Sequence, residues 1–219
     1  MDLKRKAWLS LLGVVSVALL SGALLWRLLV EGEELGALGL AGVFTAAMLS
    51  HLTVVARDMF IPLFLPLTKS YHPVVLGAST GLGAALGEVA TYFLGWGLAE
   101  SLADEYGLED RVAHWIGKYG LLAVLLVSIT PLPDTPIVLL AGSRRFPFTK
   151  LALVEALGKT ILYSTAAMFG GFIYLGMEGA LGSTASPIIV VAGSILLSVA
   201  VTWKPSRDRL FSLLERFLA

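Results

Sequence analysis

The sequence predicts an all-α polytopic membrane protein, with about four full spans, two re-entrant helical hairpins in an inverted repeat, and an amphipathic surface helix between the repeats. Of its 219 residues, 57% are hydrophobic and 15% are charged, and the mean hydropathy is +0.83. That balance is too apolar for a soluble domain. In addition, proline and charge interrupt two apolar stretches, and part of the sequence recurs. These observations together predict the fold.

Four apolar segments are long enough to cross a bilayer, which takes about 20 helical residues. The first follows the basic residues Lys4 to Lys6, so it could also be a signal peptide, but its length favours an uncleaved span. The four predicted spans are Trp8–Val30, Pro73–Leu98, Phe146–Leu175 and Ala185–Trp203.

Two further apolar segments are interrupted, and we predict that each enters the bilayer and returns. Proline inside a helix removes a backbone donor and clashes with the preceding turn. Such a break is tolerated in a membrane only where protein or a wet cavity covers it. Each break also contains an acidic residue, Asp58 or Asp134, which makes the breaks candidates for a functional site. We assign the hairpin breaks to Pro62, Pro131, Pro133 and Pro136.

The predicted organisation has three parts. Residues 1–34 form an N-terminal span and connector, residues 35–184 form a core, and residues 185–219 form the last span and a basic amphipathic tail. Within the core lie repeat one (35–98), the surface helix (99–119) and repeat two (120–176). If both hairpins return to their side of entry, most Lys and Arg residues fall on one face. The positive-inside rule then places both termini in the cytoplasm, with the chain in the cell membrane.

An internal repeat relates two of the spans. The segment Ala85–Tyr92 (ALGEVATY) recurs 71 positions later as Ala156–Tyr163 (ALGKTILY), and Ile61-Pro62 matches Leu132-Pro133 at the same offset. In the predicted topology the two copies enter from opposite sides. That is the inverted-repeat plan of transporters, whose binding sites lie near the midplane.

The repeat places Glu88 and Lys159 at equivalent positions near the middle of their spans. Either charge alone would cost several kcal/mol in hydrocarbon. We therefore expect the two side chains to face each other. Two interpretations remain open: the pair only fixes the helix register, or it is a switchable ion pair at a substrate or proton site.

These motifs resemble the VTT-domain family, which includes the DedA and SNARE-associated Golgi proteins. The family's span motif matches Gly83-x3-Gly87-Glu88-x3-Tyr92-x2-Gly95, and its second-hairpin motif matches Pro131 to Asp134 followed by Ala141 to Phe146, in the branch with TPLPD. The resemblance covers residues 49–171. It implies two re-entrant hairpins that meet inside the bilayer, and lipid movement between leaflets. Bacterial relatives are associated with polyprenyl-phosphate or phospholipid translocation, and eukaryotic relatives are scramblases.

The chain departs from the family pattern at the second hairpin. Arginines of that pattern would fall at Thr130 and Pro136, so polyprenyl-phosphate specificity is in doubt. The resemblance implies Asp58 as the first-hairpin acid and Glu88 as the span acid. The phosphate partners that remain available are Arg57, Lys159, Arg144 and Arg145.

The leading functional prediction is a translocase or scramblase that moves an anionic lipid through a polar groove between the hairpins. Its carboxylates would take up protons and couple lipid movement to proton entry. The alternatives are a proton-coupled transporter of a small ion or solute, and a non-transporting membrane scaffold. The predicted pathway residues are Arg57, Asp58, Glu88, Asp134 and Lys159, with head-group contacts from Arg144 and Arg145.

Enzymatic activity is not expected. The chain has no cysteine, no metal-binding histidine spacing, no phosphate loop and no evident nucleophile–base pair, so neither a metal nor a cofactor is predicted. The net charge of zero argues against a nucleic-acid partner. Structural roles also remain open for single residues: a helix cap for Asp134, a local pair for Arg57 with Asp58, inner-leaflet anchoring for Arg144 and Arg145, and an i,i+4 pair for Glu155 with Lys159.

Overall fold

The computed structural model describes residues 3–30, 38–54, 57–98, 120–130 and 134–202. Within these ranges the chain forms eight α-helices and no β-strand, which confirms the predicted all-α class. The helices are α1 (Leu3–Val30), α2 (Leu40–Leu52), α3 (Ile61–Leu67), α4 (Pro73–Gly87), α5 (Val89–Leu98), α6 (Leu121–Ser128), α7 (Thr135–Ser143) and α8 (Phe148–Thr202).

Among the described residues, two helical segments are long and apolar enough to cross a membrane, Pro73–Gly97 and Phe148–Phe172. On α8, the long apolar side chains of Leu153, Leu157 and Ile161 are exposed in one row. The charged side chains of Glu155 and Lys159 are buried on the inner side of the same helix. This arrangement is the reverse of a soluble helix and fits a protein surrounded by lipid. The number of spans and the orientation of the termini stay predictions.

The long segment α8 is divided at Gly182. It consists of two helices that meet there at a kink, between the predicted spans Phe146–Leu175 and Ala185–Trp203. There the backbone has φ 85° and ψ 166°, a conformation open to glycine because it lacks a Cβ. Earlier in the chain, α4 and α5 form an almost continuous helix through Glu88, whose N–H donates to Ala84 O at 3.2 Å.

Glycines allow α4 to touch two other helices backbone to backbone. A Cβ on Gly81 would lie 2.5 Å from the Thr160 nitrogen of α8, and one on Gly87 would lie 2.5 Å from the Met48 carbonyl of α2. The neighbouring Gly77 meets Ser164, so residue numbers fall along α4 as they rise along α8. These two helices are therefore antiparallel. Gly83 meets Phe44, so α2 runs parallel to α4.

Aromatic packing places α3 along α8. The Phe60 and Phe64 rings lie 5.3 and 6.1 Å from the ring of Tyr163, and the side chain of Leu65 approaches Gly170. The α3 helix thus runs in the same direction as α8. Because α2 runs parallel to α4, and α4 is antiparallel to α8, α2 and α3 form two antiparallel arms around the connector 53–60.

The helices α3 and α7 begin in the same way. Pro62 and Pro136 each occupy the second residue of a helix, α3 or α7, where a missing N–H costs no helical hydrogen bond. Pro62 and Pro136 thus take the same place in their helices. Pro133, which the sequence match at the offset of 71 pairs with Pro62, lies outside the described residues, so that pairing stays a prediction.

Several predicted features lie outside the described residues. They are the acidic connector 31–34, the surface helix 99–119, Pro131, Pro133, and the chain from Trp203 through the basic tail to Ala219. The domain boundaries that depend on them stay predictions.

Candidate functional site

Four of the five predicted pathway residues meet in the interior. Arg57 comes from the connector between α2 and α3, Glu88 from the junction of α4 and α5, Asp134 from the position before α7, and Lys159 from α8. We call these four residues the central cluster. It lies where the connector between α2 and α3, the junction of α4 and α5, the start of α7 and the helix α8 come together.

Each cation of the central cluster contacts both acids. Lys159 Nζ lies 2.7 Å from Glu88 Oε1 and 2.7 Å from Asp134 Oδ2. The guanidinium group of Arg57 also contacts Glu88 and Asp134, and it donates a hydrogen bond to Thr135 Oγ1. The four groups thus close a ring of alternating charge. The predicted facing of Glu88 and Lys159 is confirmed, and the ring extends it by a second cation and a second acid.

The central cluster is buried unevenly. The side chains of Glu88 and Lys159 are 1% and 3% exposed, that of Asp134 is 9% exposed, and that of Arg57 is 16% exposed. An isolated buried charge costs several kcal/mol, whereas this ring is neutral as a whole and each charge has opposite charges beside it. Arg57 has the most exposed side chain of the four, so an incoming anion would contact it first.

The structure decides two of the open local interpretations. Asp134 precedes α7, but its side chain makes no capping hydrogen bond, and its backbone carbonyl accepts from the N–H groups of Ile137 and Val138 instead. Its carboxylate is therefore used by the central cluster. Arg57 reaches beyond its sequence neighbour Asp58 to the second half of the chain, which makes it more than a local partner.

Three polar residues beside the central cluster were not among the predicted site residues. Glu155 Oε2 lies 3.8 Å from Lys159 Nζ, so the predicted i,i+4 pair is present but loose. The Tyr163 hydroxyl lies 3.4 Å from His51 Nε2. His51 Nδ1 faces the Ala47 carbonyl at 2.9 Å, so Nδ1 carries the hydrogen and Nε2 accepts from Tyr163. The spacing of Glu155, Lys159 and Tyr163, four residues apart on one helix face, is the sequence signal that identifies this stripe.

The two predicted head-group arginines lie apart from the central cluster. Arg144 and Arg145 are exposed at the C-terminal end of α7, about 15 Å of helix away from Asp134. Arg145 has φ 53°, and the N–H of Phe146 donates to Ala141 O at 2.9 Å. Arg145 therefore occupies the left-handed position of a Schellman motif, which usually takes glycine.

The fifth predicted pathway residue, Asp58, lies beside Arg57 in the connector and is half-buried. Its backbone carbonyl accepts from the Ile61 N–H at 3.1 Å and so helps to begin α3. Among the described residues, no group of three or more His, Cys, Asp or Glu side chains is placed to hold a metal ion.

Comparison with known proteins gives one family and two relatives. A family model described as the VTT domain matches residues 61–172, a range that includes Glu88, Asp134 and Lys159 and begins just after Arg57. An uncharacterized protein of Methanocaldococcus jannaschii is 31% identical over 78 residues, which are 34% of this chain and 49% of the relative. An uncharacterized protein of Haemophilus influenzae is 25% identical over 122 residues, which are 52% of this chain and 62% of the relative. The matches thus span less than two thirds of either relative. No solved structure matches the chain.

Proposed function

The chain belongs to the VTT-domain family, and on that premise we propose that it moves an anionic lipid between the leaflets of a cell membrane by way of the central cluster. The observation that carries the proposal is the buried ring, in which Arg57 and Lys159 are held by two exchangeable carboxylates. Arginine and lysine donate to a phosphate as readily as to a carboxylate. A phosphate-bearing head group can therefore replace Glu88 or Asp134 at the same donors.

The lengths of the arms support two re-entrant hairpins. The helices that would form the arms of the two hairpins are α2 with α3 and α6 with α7. They contain 13, 7, 8 and 9 residues. At about 1.5 Å per residue, even the longest reaches only about 20 Å, whereas the hydrocarbon core is about 30 Å thick. The antiparallel course of α4 and α8 supports the inversion of one repeat relative to the other.

The proposed path uses the cluster residues in sequence. The head group first contacts Arg57, the most exposed cation, and displaces Asp134 or Glu88 from it. A displaced carboxylate that stays buried is stabilised by a proton, which couples lipid movement to proton entry. The head group then passes to Lys159 while the acyl chains stay in the lipid beside exposed apolar side chains such as Leu157. When the lipid leaves, the carboxylates return and the ring closes.

Leaflet exchange in liposomes tests the proposal. The purified full chain is reconstituted with fluorescent phosphatidylglycerol, and a membrane-impermeant quencher is added outside. We expect the unaltered chain to expose inner-leaflet lipid to the quencher, and Lys159→Met to slow this exchange about tenfold or more. Lys150→Met is the matched control, because Lys150 is exposed on the first turn of α8. Absence of exchange, or full exchange by Lys159→Met, would refute lipid translocation through this cluster.

The same liposomes separate the two alternatives. A transporter of small ions or solutes would take up a labelled anion with protons and leave the lipid in place. A scaffold would show neither activity, and neutralisation of Glu88 and Lys159 together would leave its function intact. Lipid translocation instead requires the charges themselves, so that double substitution would stay inactive.

A further inference from the structure

Glu155 is the buried acid that the central cluster does not use. Its side chain is fully buried, and neither carboxylate oxygen has a hydrogen-bond partner among the described residues. The nearest cation is Lys159, but the distance of 3.8 Å exceeds a hydrogen bond, and the ammonium group already serves Glu88 and Asp134 at 2.7 Å. An ionised carboxylate held in this way would bear most of its desolvation cost without compensation.

The charges around Glu155 lead to the same difficulty. Arg57 and Lys159 balance Glu88 and Asp134, so an ionised Glu155 would leave this buried region with one excess negative charge. The helices α3, α4, α6 and α7 carry no titratable side chain that could compensate it. The charged groups that act on Glu155 are therefore Lys159 on its own helix, Asp134 before α7 and Arg57 from the connector, with Glu88 behind Lys159.

The polar neighbour of Glu155 on α6 does not compensate a carboxylate. The Ser128 hydroxyl donates to Val124 O at 2.8 Å. Its hydrogen is therefore engaged, and both Glu155 oxygens lack a hydrogen-bond partner among the described residues.

We propose that Glu155 is a proton-binding site separate from the central cluster, and that its proton controls whether the cluster accepts an anion. With the proton bound, Glu155 is neutral, and the net charge of the region is zero. Without it, the net charge becomes −1 and an approaching anion is repelled. Because binding linkage is reciprocal, an anion at Arg57 and Lys159 also favours retention of this proton. The control of anion binding rests on the proposed function, but the proton site itself does not.

Infrared difference spectroscopy tests the proton site without any transport. Spectra of the purified full chain and of Glu155→Gln are compared at neutral pH in H₂O and D₂O, since glutamine keeps the shape of the neutral acid. We expect the difference spectrum to contain the C=O stretch of a protonated carboxylic acid, shifted by deuterium. A pair of carboxylate bands in its place would overturn the proposal.

A second measurement uses the unaltered chain, in case the variant fails to fold. An apolar carbodiimide modifies protonated carboxyl groups in apolar surroundings, and peptide mapping by mass spectrometry locates the product. We expect modification at Glu155, with Glu88 and Asp134 spared because they are ion-paired. No modification of Glu155, or modification of Glu88 in its place, would overturn the proposal.

The control of anion binding is tested with a short-chain phosphatidylglycerol, whose phosphodiester keeps one charge across the pH range. Its affinity for the unaltered chain is expected to fall about tenfold from neutral to alkaline pH, because loss of the Glu155 proton adds a negative charge nearby. Glu155→Gln is expected to bind equally at both pH values. Affinity of the unaltered chain that does not change with pH would overturn the linkage. No binding at either pH would refute the lipid proposal, and the infrared result would still decide the proton site.

Discussion

The two halves of the chain contribute to the central cluster with the same plan and opposite charges. The first half supplies a cation from its connector, Arg57, and an acid from its long helix, Glu88. The second half supplies an acid before α7, Asp134, and a cation from its long helix, Lys159. Two of the four contacts lie within a half and two join the halves. If the halves separate, each retains a neutral pair, so the ring can open without leaving an isolated buried charge.

One buried acid of the second half has no counterpart in the first. Glu155 in the second half corresponds, at the offset of 71, to Ala84 in the first half, and both side chains are fully buried. The first half therefore has no counterpart of the proposed proton site. The comparison separates a symmetric feature, the exchange of ion pairs between halves, from an asymmetric one, the binding of a proton in the second half only.

Removing the cation of the second half is expected to have the largest effect. Lys159→Met leaves Glu88 and Asp134 sharing Arg57 and removes the cation nearest to Glu155. We expect the free energy of unfolding to fall by about 3–5 kcal/mol, the usual cost of breaking a buried ion pair from one side. Denaturation of the purified protein measures it. Lys150→Met should stay within about 0.5 kcal/mol, and equal losses in the two variants would contradict the ring.

Removing one charge from each half tests whether the remaining charges can pair. In Glu88→Gln/Lys159→Met, Arg57 and Asp134 still contact each other, so we expect about 2 kcal/mol of the stability lost in the single variants to return. Lipid exchange should not return, because Lys159 is the donor that the head group needs. A double-substitution cycle of unfolding free energies provides the measurement. Additive losses would show that Glu88 and Lys159 are not coupled.

Equivalent glycines of the two halves test the packing that holds the cluster. A Cβ on Gly87 would lie 2.5 Å from the Met48 carbonyl, and one on Gly158 would lie 2.5 Å from Ser128 Cβ. We expect each Gly→Ala change to cost about 1–3 kcal/mol of unfolding free energy, with the larger loss at Gly87, where the backbone has to move. Gly176 is the control, since no described atom lies within 4 Å of a Cβ there. Gly176→Ala should be neutral or stabilise by up to about 1 kcal/mol.

The smallest effect is expected at the end of α7. Arg145 holds φ 53° in a Schellman motif, so Arg145→Gly should raise the unfolding free energy by about 0.5–1 kcal/mol. Arg144→Ala, in the neighbouring residue with φ −87°, is the control and should not stabilise. Both arginines were predicted to contact head groups. Lipid exchange that stays unchanged in Arg145→Gly would remove this residue from the path, whereas slower exchange in a stabilised variant would assign it a role there.

The sequence predicted the central cluster in pieces. The repeat paired Glu88 with Lys159, because equal positions in two related spans meet when the spans pack antiparallel. The breaks in the apolar segments identified Arg57 and Asp134, because a charged residue near a proline break is tolerated in a membrane only where protein or water surrounds it. That these pieces close one ring could not be predicted. Arg57 and Asp134 are 77 residues apart in the sequence, and no pattern along the chain predicts a contact between residues so far apart.

Other features were hidden for a similar reason. Glu155 read as a helical partner of Lys159, since spacing along a helix does not reveal that Lys159 is already engaged by two other acids. The contact of Tyr163 with His51 joins α8 to α2 across the halves. Pro62 and Pro136 both lie at the second residue of a helix, a likeness that depends on where α3 and α7 begin.

By itself, the sequence determined the all-α class, the membrane setting and the charged and proline residues that must be shielded from lipid. Each follows from a local property of the chain: the length of an apolar segment, the backbone chemistry of proline, or the cost of a buried charge. The tertiary structure decided which charges meet, which acid is left over and which arginines stay outside. Those outcomes depend on how closely α4 approaches α8 and on where each connector turns, and both are set by backbone contacts between residues far apart in the chain.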